Sequence, residues 1–483
     1  MLYTKSHLIR QLGYTYGRWM PAALKEINTK AAEQGAMTDE QIHAYIAQIL
    51  SSPRFKKSTW RQAPSNFYVN LERTATSTDA DSHYLADNYQ QVVSVMSHLM
   101  RLPTIEAGAV MPDACPAGTI CVGGVVAARN AIHPAFHSAD VCCSMYLTEF
   151  DTDDAKAVLD AAMEATHFGP TARPIPQAMP DELIALLKSN PLTHTLMGSA
   201  IRDFATQGDG NHFLFVGTSR QTGKVCVVTH HGSRSLGAKL YKQGMTTARS
   251  FAQHIAPDDV RDRRALARGV NAGDMAWIPF DTPEGQQYWD ALQIVRQWTY
   301  ENHKRIHELI QQSLNLQVLD HFWNEHNFVF KRGELFYHAK GATPGFEGYE
   351  RTLVPMNMVE PILVTRGTGA ENGLGFLPHG AGRNMSRSEF QRRHPHPELP
   401  QGVDIRSFSG KLDTSELPQA YKNATEVKRQ MVETYNLAEI IDEILPYGSI
   451  MAGEPEFDFR SRRKRRKPNS AQTSEQQPLA DKE

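Results

Sequence analysis

Short β-type runs alternate with helical stripes along this chain, and no single period is sustained, which restricts it to a mixed architecture. The runs are Ile120–Ala128, Phe213–Val216, Val225–Thr229, Phe328–Phe330, Leu335–Tyr337 and Ile362–Thr365, rich in β-branched and aromatic residues. Between them, Leu85, Tyr89, Val92, Met96 and Leu99 recur at helical spacing and stop before Pro103. Thr282-Pro283 opens a long helix by the cap-then-proline rule, with Tyr288, Leu292, Val295, Trp298 and Ile306 along one stripe that reads as core. A further helix is predicted from about Ala424 to Ile444. No repeat at a solenoid period interrupts this pattern. The class is α+β, with mixed or antiparallel sheets flanked by helices.

Composition narrows the setting. With 483 residues, 41% hydrophobic and 22% charged, the chain can bury a large core, and its longest apolar runs fall well short of a membrane span. The start, Met1 to His7, lacks the charged-then-apolar layout of a secretory signal, so a cytoplasmic protein is expected. Five cysteines, two of them adjacent at Cys142-Cys143, point to free thiols or a metal thiolate rather than a disulfide framework. The formal charge is only −2, yet Arg460, Arg462, Arg463, Lys464, Arg465, Arg466 and Lys467 crowd into one run. That run lies in a segment, 456–483, with few apolar anchors, expected to be a disordered polybasic tail. Phosphate backbones would attract it; a solvated tail with no dedicated partner is the alternative.

Three constellations carry chemistry. Asn211 to Gly217 and Val225 to Thr229 read as a hairpin with His212 and His230 at its open end. If Gly217 opposes Val225, His212 opposes His230, with Cβ atoms roughly 4.5–5.5 Å apart, close enough to share a cation. The Lys331-Arg332-Gly333-Glu334 turn likewise places His326 at the mouth of a second hairpin, opposite the Ala339-Lys340 region. Asp140-Val141-Cys142-Cys143 adds a carboxylate and a thiol three residues apart. Imidazole, carboxylate and thiolate together bind divalent transition ions, and a thiolate can bridge two of them; soft ligands suit zinc as well. Singly, each histidine has the plainer reading of a hydrogen-bonded core or surface residue, and the cysteine that of a small buried thiol.

The third is His379-Gly380-Ala381-Gly382-Arg383, running to Ser386 and Glu389. Ser386 and Glu389 have capping-box spacing, so a helix should start there after a glycine-punctuated loop whose N–H groups can approach phosphate oxygens. Arg383 and Arg387 can supply bidentate phosphate contacts, and His379 is placed to attack phosphorus and form a covalent intermediate. Gly232-Ser233-Arg234-Ser235-Leu236-Gly237 looks like a second such loop, leading into a helix from about Ala238. A glycine-rich turn without a ligand is the plainer reading of both.

Taken in order, these segments resemble the RtcB family of RNA-splicing ligases from about Leu85 to Gly453. The resemblance rests on Met111-Pro112-Asp113 with Gly123-Gly124, Asp140-Val141-Cys142-Cys143, Gly210-Asn211-His212-Phe213, His230-His231-Gly232-Ser233-Arg234, and His379 to Arg383 followed by Met385-Ser386-Arg387. His326-Asn327 and Lys340-Gly341-Ala342 fill the gap before the last. It implies an RtcB-like fold with one large catalytic domain over 81–455, preceded by a partly helical elaboration over 1–80. It implies two manganese ions held by Asp140, Cys143, His212, His230 and His326, with Cys143 bridging, and guanylylation of His379 by GTP. Nucleotide contacts are implied for Asn211, Asn357 and Gly380, Ala381 and Gly382, and phosphate or RNA contacts for Arg234, Arg383 and Arg387. The implied activity joins an RNA 3′-phosphate or 2′,3′-cyclic phosphate end to a 5′-hydroxyl end, in tRNA splicing or RNA repair. Its implied partners are RNA with broken ends and an archease-type activator, with RNA or the ribosome for the basic tail and no membrane.

Several family positions differ. The expected glutamate after Asn-His-Phe-Leu is Phe215; the Pro-Gly-Ser-Met-Gly loop reads Pro355-Met356-Asn357-Met358-Val359; the closing Lys-Gly is Ala452-Gly453; Cys115 replaces a histidine and Ser144 a glycine. Changes of this kind alter base preference by about 1–3 kcal/mol per lost buried hydrogen bond. The competing readings are a metal-dependent RNA-end phosphoesterase without nucleotidyl transfer and a non-catalytic RNA-binding paralogue.

Overall fold

A computed structural model of the chain describes residues 3–14, 19–52, 60–72, 82–251 and 272–453. The basic run and the rest of the tail therefore lie outside the described residues. Three N-terminal helices, Lys5–Arg10, Met20–Gln34 and Asp39–Ser51, bury Leu8, Met20, Ala23, Ile27, Ile42 and Ile46 in a cluster of their own. Thr38 closes a capping box with Gln41 at the start of the third. Residues 60–72, expected within a separate N-terminal piece, lie instead against the body. Trp60 joins the main core, and Tyr68–Val69 pairs in parallel with the strand Ile105–Cys115. Burying Trp60 removes its apolar ring surface from water, and pairing Tyr68–Val69 with the sheet gives edge backbone groups partners.

Two sheets organise the body. The larger has eight strands, in the order Thr352–Pro355, Ile362–Gly367, Ala438–Met451, Phe213–Ser219, Val225–His231, Ser144–Phe150 and Val318–Glu325, with Asp404–Ser407 added in parallel to Ala438–Met451. The smaller runs Tyr68–Val69, Ile105–Cys115, Val122–Arg129, Leu335–Lys340 and Asn327–Arg332. All six predicted strand runs are present. The two sheets are joined at one residue: Val318–Glu325 ends the larger, Asn327–Arg332 begins the smaller, and His326 lies between them.

The long helix forms over Pro283–Leu314, capped by the Thr282 hydroxyl, which accepts from Gly285 N–H. Its predicted stripe is buried throughout, and His303 and His307 on the same helix contact Thr229, Ser144 and Thr148 of the larger sheet. The helix therefore fixes the back of the strands whose ends carry the candidate ligands. The helix predicted over 424–444 is a correction. Only Ala424–Arg429 is α-helical, followed by one wide turn over Gln430–Thr434, left-handed Asn436 (φ 49°) and the strand Ala438–Met451. That strand has partners on both sides, and β-branched Ile440, Ile441 and Ile444 suit a pleated surface; paired backbone and packing override local helical propensity.

Candidate functional site

The site grows from the junction of the two sheets. Asp140 to Cys143 is a tight turn in which Cys142 adopts a left-handed conformation (φ 59°), and Cys142 N–H donates to Asn327 O at 2.7 Å. His326 N–H in turn donates to Cys143 O at 2.8 Å. The thiol of Cys143 and the ring of His326 are thus tied together through the backbone before any ligand is considered.

The first hairpin is formed, but one residue out of the predicted register: Gly217 opposes Cys226, and Phe213, not His212, opposes His230. The tighter Ser219–Lys224 turn, closed by Ser219 N–H to Lys224 O at 3.0 Å, sets this pairing. His212 lies just ahead of the strand and still turns inward. Its Nε2 is 3.6 Å from Cys143 Sγ and 3.3 Å from Asp140 Oδ2, while His230 Nε2 is 3.2 Å from the same sulfur and 3.2 Å from His326 Nε2. The second hairpin pairs Asn327 with Lys340, leaving His326 at its mouth as expected.

These atoms form two triads that share the thiol: Cys143, His230 and His326, and Asp140, Cys143 and His212, with the ligating atoms of each within 4.8 Å of one another. The donor chemistry fits divalent cations. His230 Nδ1–H donates to Asn211 O at 3.1 Å, so its Nε2 presents a lone pair to the cluster. Burial holds His230 neutral, lowering its pKa to about 3, and burial together with the neighbouring His230 and His379 lowers that of His326 as well. Burial raises the Cys143 thiol, reinforced by Asp140, so taking up a cation would displace its proton. Burial works against ionising Asp140, but the His212 charge and hydrogen bonds from His212 and Cys143 carry its pKa down to about 2. Gly232 makes room for that carboxylate: a Cβ there would stand 2.0 Å from Asp140 Oδ1.

His379 adjoins this cluster, its ring centroid 5.1 Å from that of His326. It is oriented by Asp113, fully buried in the strand Ile105–Cys115, whose Oδ2 accepts from His379 Nδ1–H at 2.6 Å and from its backbone N–H at 3.1 Å. With Nδ1 carrying the proton, Nε2 keeps the lone pair a nucleophile needs. The loop that follows is fitted to the same strand. Gly382 adopts φ +75°, and a Cβ there would lie 1.9 Å from Asp113 O, so no other residue fits without moving the strand. Buried Lys422 secures the arrangement, donating to Pro112 O at 3.1 Å and Ala114 O at 2.6 Å.

One cavity of about 810 Å³ collects Asp140, Cys143, His230, His326 and His379 with Asn211, Asn357, Gly380, Ala381, Gly382, Arg383 and Arg387. The helix after the loop starts as predicted, with Ser386 Oγ accepting from Glu389 N–H ahead of Arg387–Arg393. The arginines are less available than expected. All three nitrogens of Arg383 already donate to protein, to Met385 O, Glu416 Oε2 and Ser415 O, and Arg387 Nε donates to Glu416 Oε1. Glu416, buried and also held by the Tyr421 hydroxyl, sets both guanidinium groups from a distance that sequence spacing does not reveal. Arg234 stands outside the cavity's lining, with Nη2 donating to Gly169 O and Nε to Thr206 Oγ1, while its Nη1 lies against Gly208 beside His212. The helix after it begins at Arg234, four residues before the predicted start, because Ser235 N–H and Oγ–H both find Asp203 Oδ2 as a capping acceptor.

Sequence reasoning missed Asp113, Lys422 and Glu416. Asp113 stood within a quoted motif, and only its spacing before Gly123-Gly124 could have marked it. Ser144, where the family has glycine, is accommodated: its hydroxyl donates to Cys142 O at 3.0 Å and contacts His303 Nε2 at 3.0 Å. All five cysteines are free thiols, as expected.

Comparison with known proteins gives a consistent picture. The chain is 26% identical over 315 residues to the tRNA-splicing ligase RtcB of Aeropyrum pernix, covering 55% of this chain and 62% of that protein. It is 26% identical over 294 residues to the tRNA-splicing ligase RtcB of Archaeoglobus fulgidus, covering 50% and 58% respectively. The RNA-splicing ligase RtcB homolog 1 of Entamoeba dispar is 23% identical over 452 residues, covering 75% of this chain and 81% of that protein. The chain thus spans about three-fifths of the length of the two archaeal relatives. Residues 182–452, more than half of the chain, match the family described as tRNA-splicing ligase RtcB; Asp113, Asp140 and Cys143 lie upstream of that span. This chain belongs to the RtcB family.

Proposed function

We propose that this chain is an RNA ligase, with an RtcB-like fold over 81–455, that joins an RNA 3′-phosphate or 2′,3′-cyclic phosphate end to a 5′-hydroxyl end through a guanylylated His379, in tRNA splicing or RNA repair. The observation that supports it most is the position of His379, held by Asp113 beside two donor triads that share one thiol. Two manganese ions, held by Cys143, His230 and His326 and by Asp140, Cys143 and His212, would neutralise charge on phosphoryl oxygens and lower the pKa of a bound hydroxyl. Asp113 keeps the proton on Nδ1, so His379 Nε2 can attack the α-phosphorus of GTP; the new P–N bond replaces the bond to the bridging oxygen, and pyrophosphate leaves with that electron pair. The loop Gly380 to Gly382, Asn211 and Asn357 bind the nucleotide, and Arg387 binds phosphate at the cavity wall. An RNA 3′-phosphate then takes the GMP group, restoring free imidazole, and the 5′-hydroxyl displaces GMP to close the phosphodiester. A 2′,3′-cyclic end is first opened by water. The setting is the cytoplasm, with RNA and an archease-type activator as partners; no described helix is long and apolar enough to cross a membrane.

Incubation with manganese and α-labelled GTP followed by a denaturing gel tests this. Label should stay with the wild-type chain and be absent from His379→Ala. RNA halves ending in 2′,3′-cyclic phosphate and 5′-hydroxyl should give the joined length. Loss of phosphate from unjoined halves, with no labelled protein, would establish the phosphoesterase reading instead.

A further inference from the structure

Beyond the histidine cluster the cavity floor is one face of the larger sheet, laid out in two rows. In the first, Phe213 opposes His230 on one side and Met451 on the other. In the second, two residues further along, Phe215 opposes Ser449. Strand rise separates the rows by about 7 Å, leaving room for a ribose between the phosphate-facing histidines and the second row. Phe215 and Ser449 are both buried and both line the cavity, with Met356 and Ile362 beside them. Ser449 Oγ has no hydrogen-bond partner. A buried hydroxyl left unpaired costs on the order of 1–3 kcal/mol, and its residue is one that lines the cavity.

The carboxylates of the cavity are committed elsewhere. Its lining carboxylates are Asp140, Glu389 and Glu416. Asp140 belongs to a donor triad, Glu416 is held by Arg383, Arg387 and Tyr421, and Glu389 pairs with Arg393. None of the three lies on the sheet rows. A base resting on Phe215 therefore meets apolar surface and the Ser449 hydroxyl, with no carboxylate in the row.

We propose that this second row is a base subsite that accepts purine nucleotides without selecting guanine, with Phe215 as its apolar face and Ser449 as the hydroxyl that pairs with the base. The inference rests on the nucleotidyl transfer proposed above. A serine hydroxyl both donates and accepts, so it serves guanine through N1–H or O6 and adenine through N6–H or N1. A carboxylate would accept only, and would favour the two donors on guanine's edge. Sites whose buried polar groups match one ligand reject an analogue by about 10⁴–10⁵, whereas apolar pockets discriminate by only about 10² or less. Phe215 and Ser449 belong to the second kind.

The test is equilibrium titration of the full chain, with manganese present, against α,β-methylene analogues of GTP and ATP, whose bridging carbon prevents transfer to His379. The two affinities should agree within tenfold. Ser449→Ala should weaken both by about three- to tenfold, and Phe215→Glu should favour the guanine analogue over the adenine one by at least tenfold. Guanine binding more than 100-fold tighter than adenine in the wild type would overturn the inference and leave the ligase function standing. If neither analogue binds at millimolar concentration, the nucleotide-dependent function itself falls, and this subsite with it.

Discussion

Replacing Asp113 should slow guanylylation of His379 far more than it disturbs nucleotide binding. One carboxylate oxygen accepts both the ring Nδ1–H, at 2.6 Å, and the backbone N–H of His379, at 3.1 Å. Hydrogen bonds to a charged group contribute about 1.5–3 kcal/mol each. In Asp113→Ala both are removed, and with them the restraint that keeps the lone pair on Nε2. The combined loss of about 3–6 kcal/mol, at roughly 1.4 kcal/mol per decade, predicts a fall of about 10²–10⁴ in the single-turnover rate of label transfer. Asp113→Asn can place its amide oxygen where Oδ2 stands, preserving both geometries and losing only the charge; about tenfold is expected. Asp113 also faces buried Lys422, so the alanine variant should melt at a lower temperature, and rates are to be compared well below that melt. The assay is rapid quench with α-labelled GTP and manganese, with analogue binding measured alongside. A folded Asp113→Ala protein that transfers label within threefold of wild type would refute the reasoning.

Because the Cys143 thiol belongs to both triads, Cys143→Ala should lower manganese stoichiometry at both sites, whereas His326→Ala should affect one; metal content after gel filtration distinguishes them, and an unchanged stoichiometry in the cysteine variant contradicts the shared ligand. Acid should destabilise the fold through its buried histidines. Burial lowers His133 to about 3 and His137 to about 4, against 6.5 when exposed, so below about pH 6.5 the unfolded chain binds protons that the fold refuses. Stability is therefore lost as pH falls from about 6.5 towards those values, by about 2 kcal/mol per group at pH 5. Thermal melts across pH 7.5 to 5 measure this, and a flat profile would count against it. Deleting residues 456–483 should weaken RNA affinity and reduce its salt slope by about 0.7 for each phosphate that the basic run neutralises, with guanylylation unchanged; identical slopes would show that the run does not touch RNA.

Much of this was legible in the sequence because strand alternation and turn residues are local signals. The two hairpins and the long capped helix follow from them, and so do the positions of His212, His230 and His326 at strand ends. Pairing register depends on how tightly the Ser219–Lys224 turn closes, which composition does not fix, so the predicted opposition was one residue out. The segment after Ala424 was misread because its apolar spacing fits a helix, while the deciding partners, Ile362–Gly367 and Phe213–Ser219, are remote in sequence. Asp113, Glu416 and Lys422 escaped for the same reason: each acts on residues far along the chain, through buried interactions that leave no periodic trace. The glycine-bearing loop around Arg234 is a local signal, whereas the contacts that orient its guanidinium, Gly169 O and Thr206 Oγ1, come from residues remote in sequence.

Peptide mass spectrometry of the full chain after incubation with GTP and manganese, quenched at alkaline pH to preserve a phosphoramidate, addresses the central claim most directly. The account predicts one GMP adduct, on the peptide containing His379, that disappears when pyrophosphate is added in excess. An adduct on another residue, or an unmodified His379 peptide under conditions where RNA ends are joined, would contradict it.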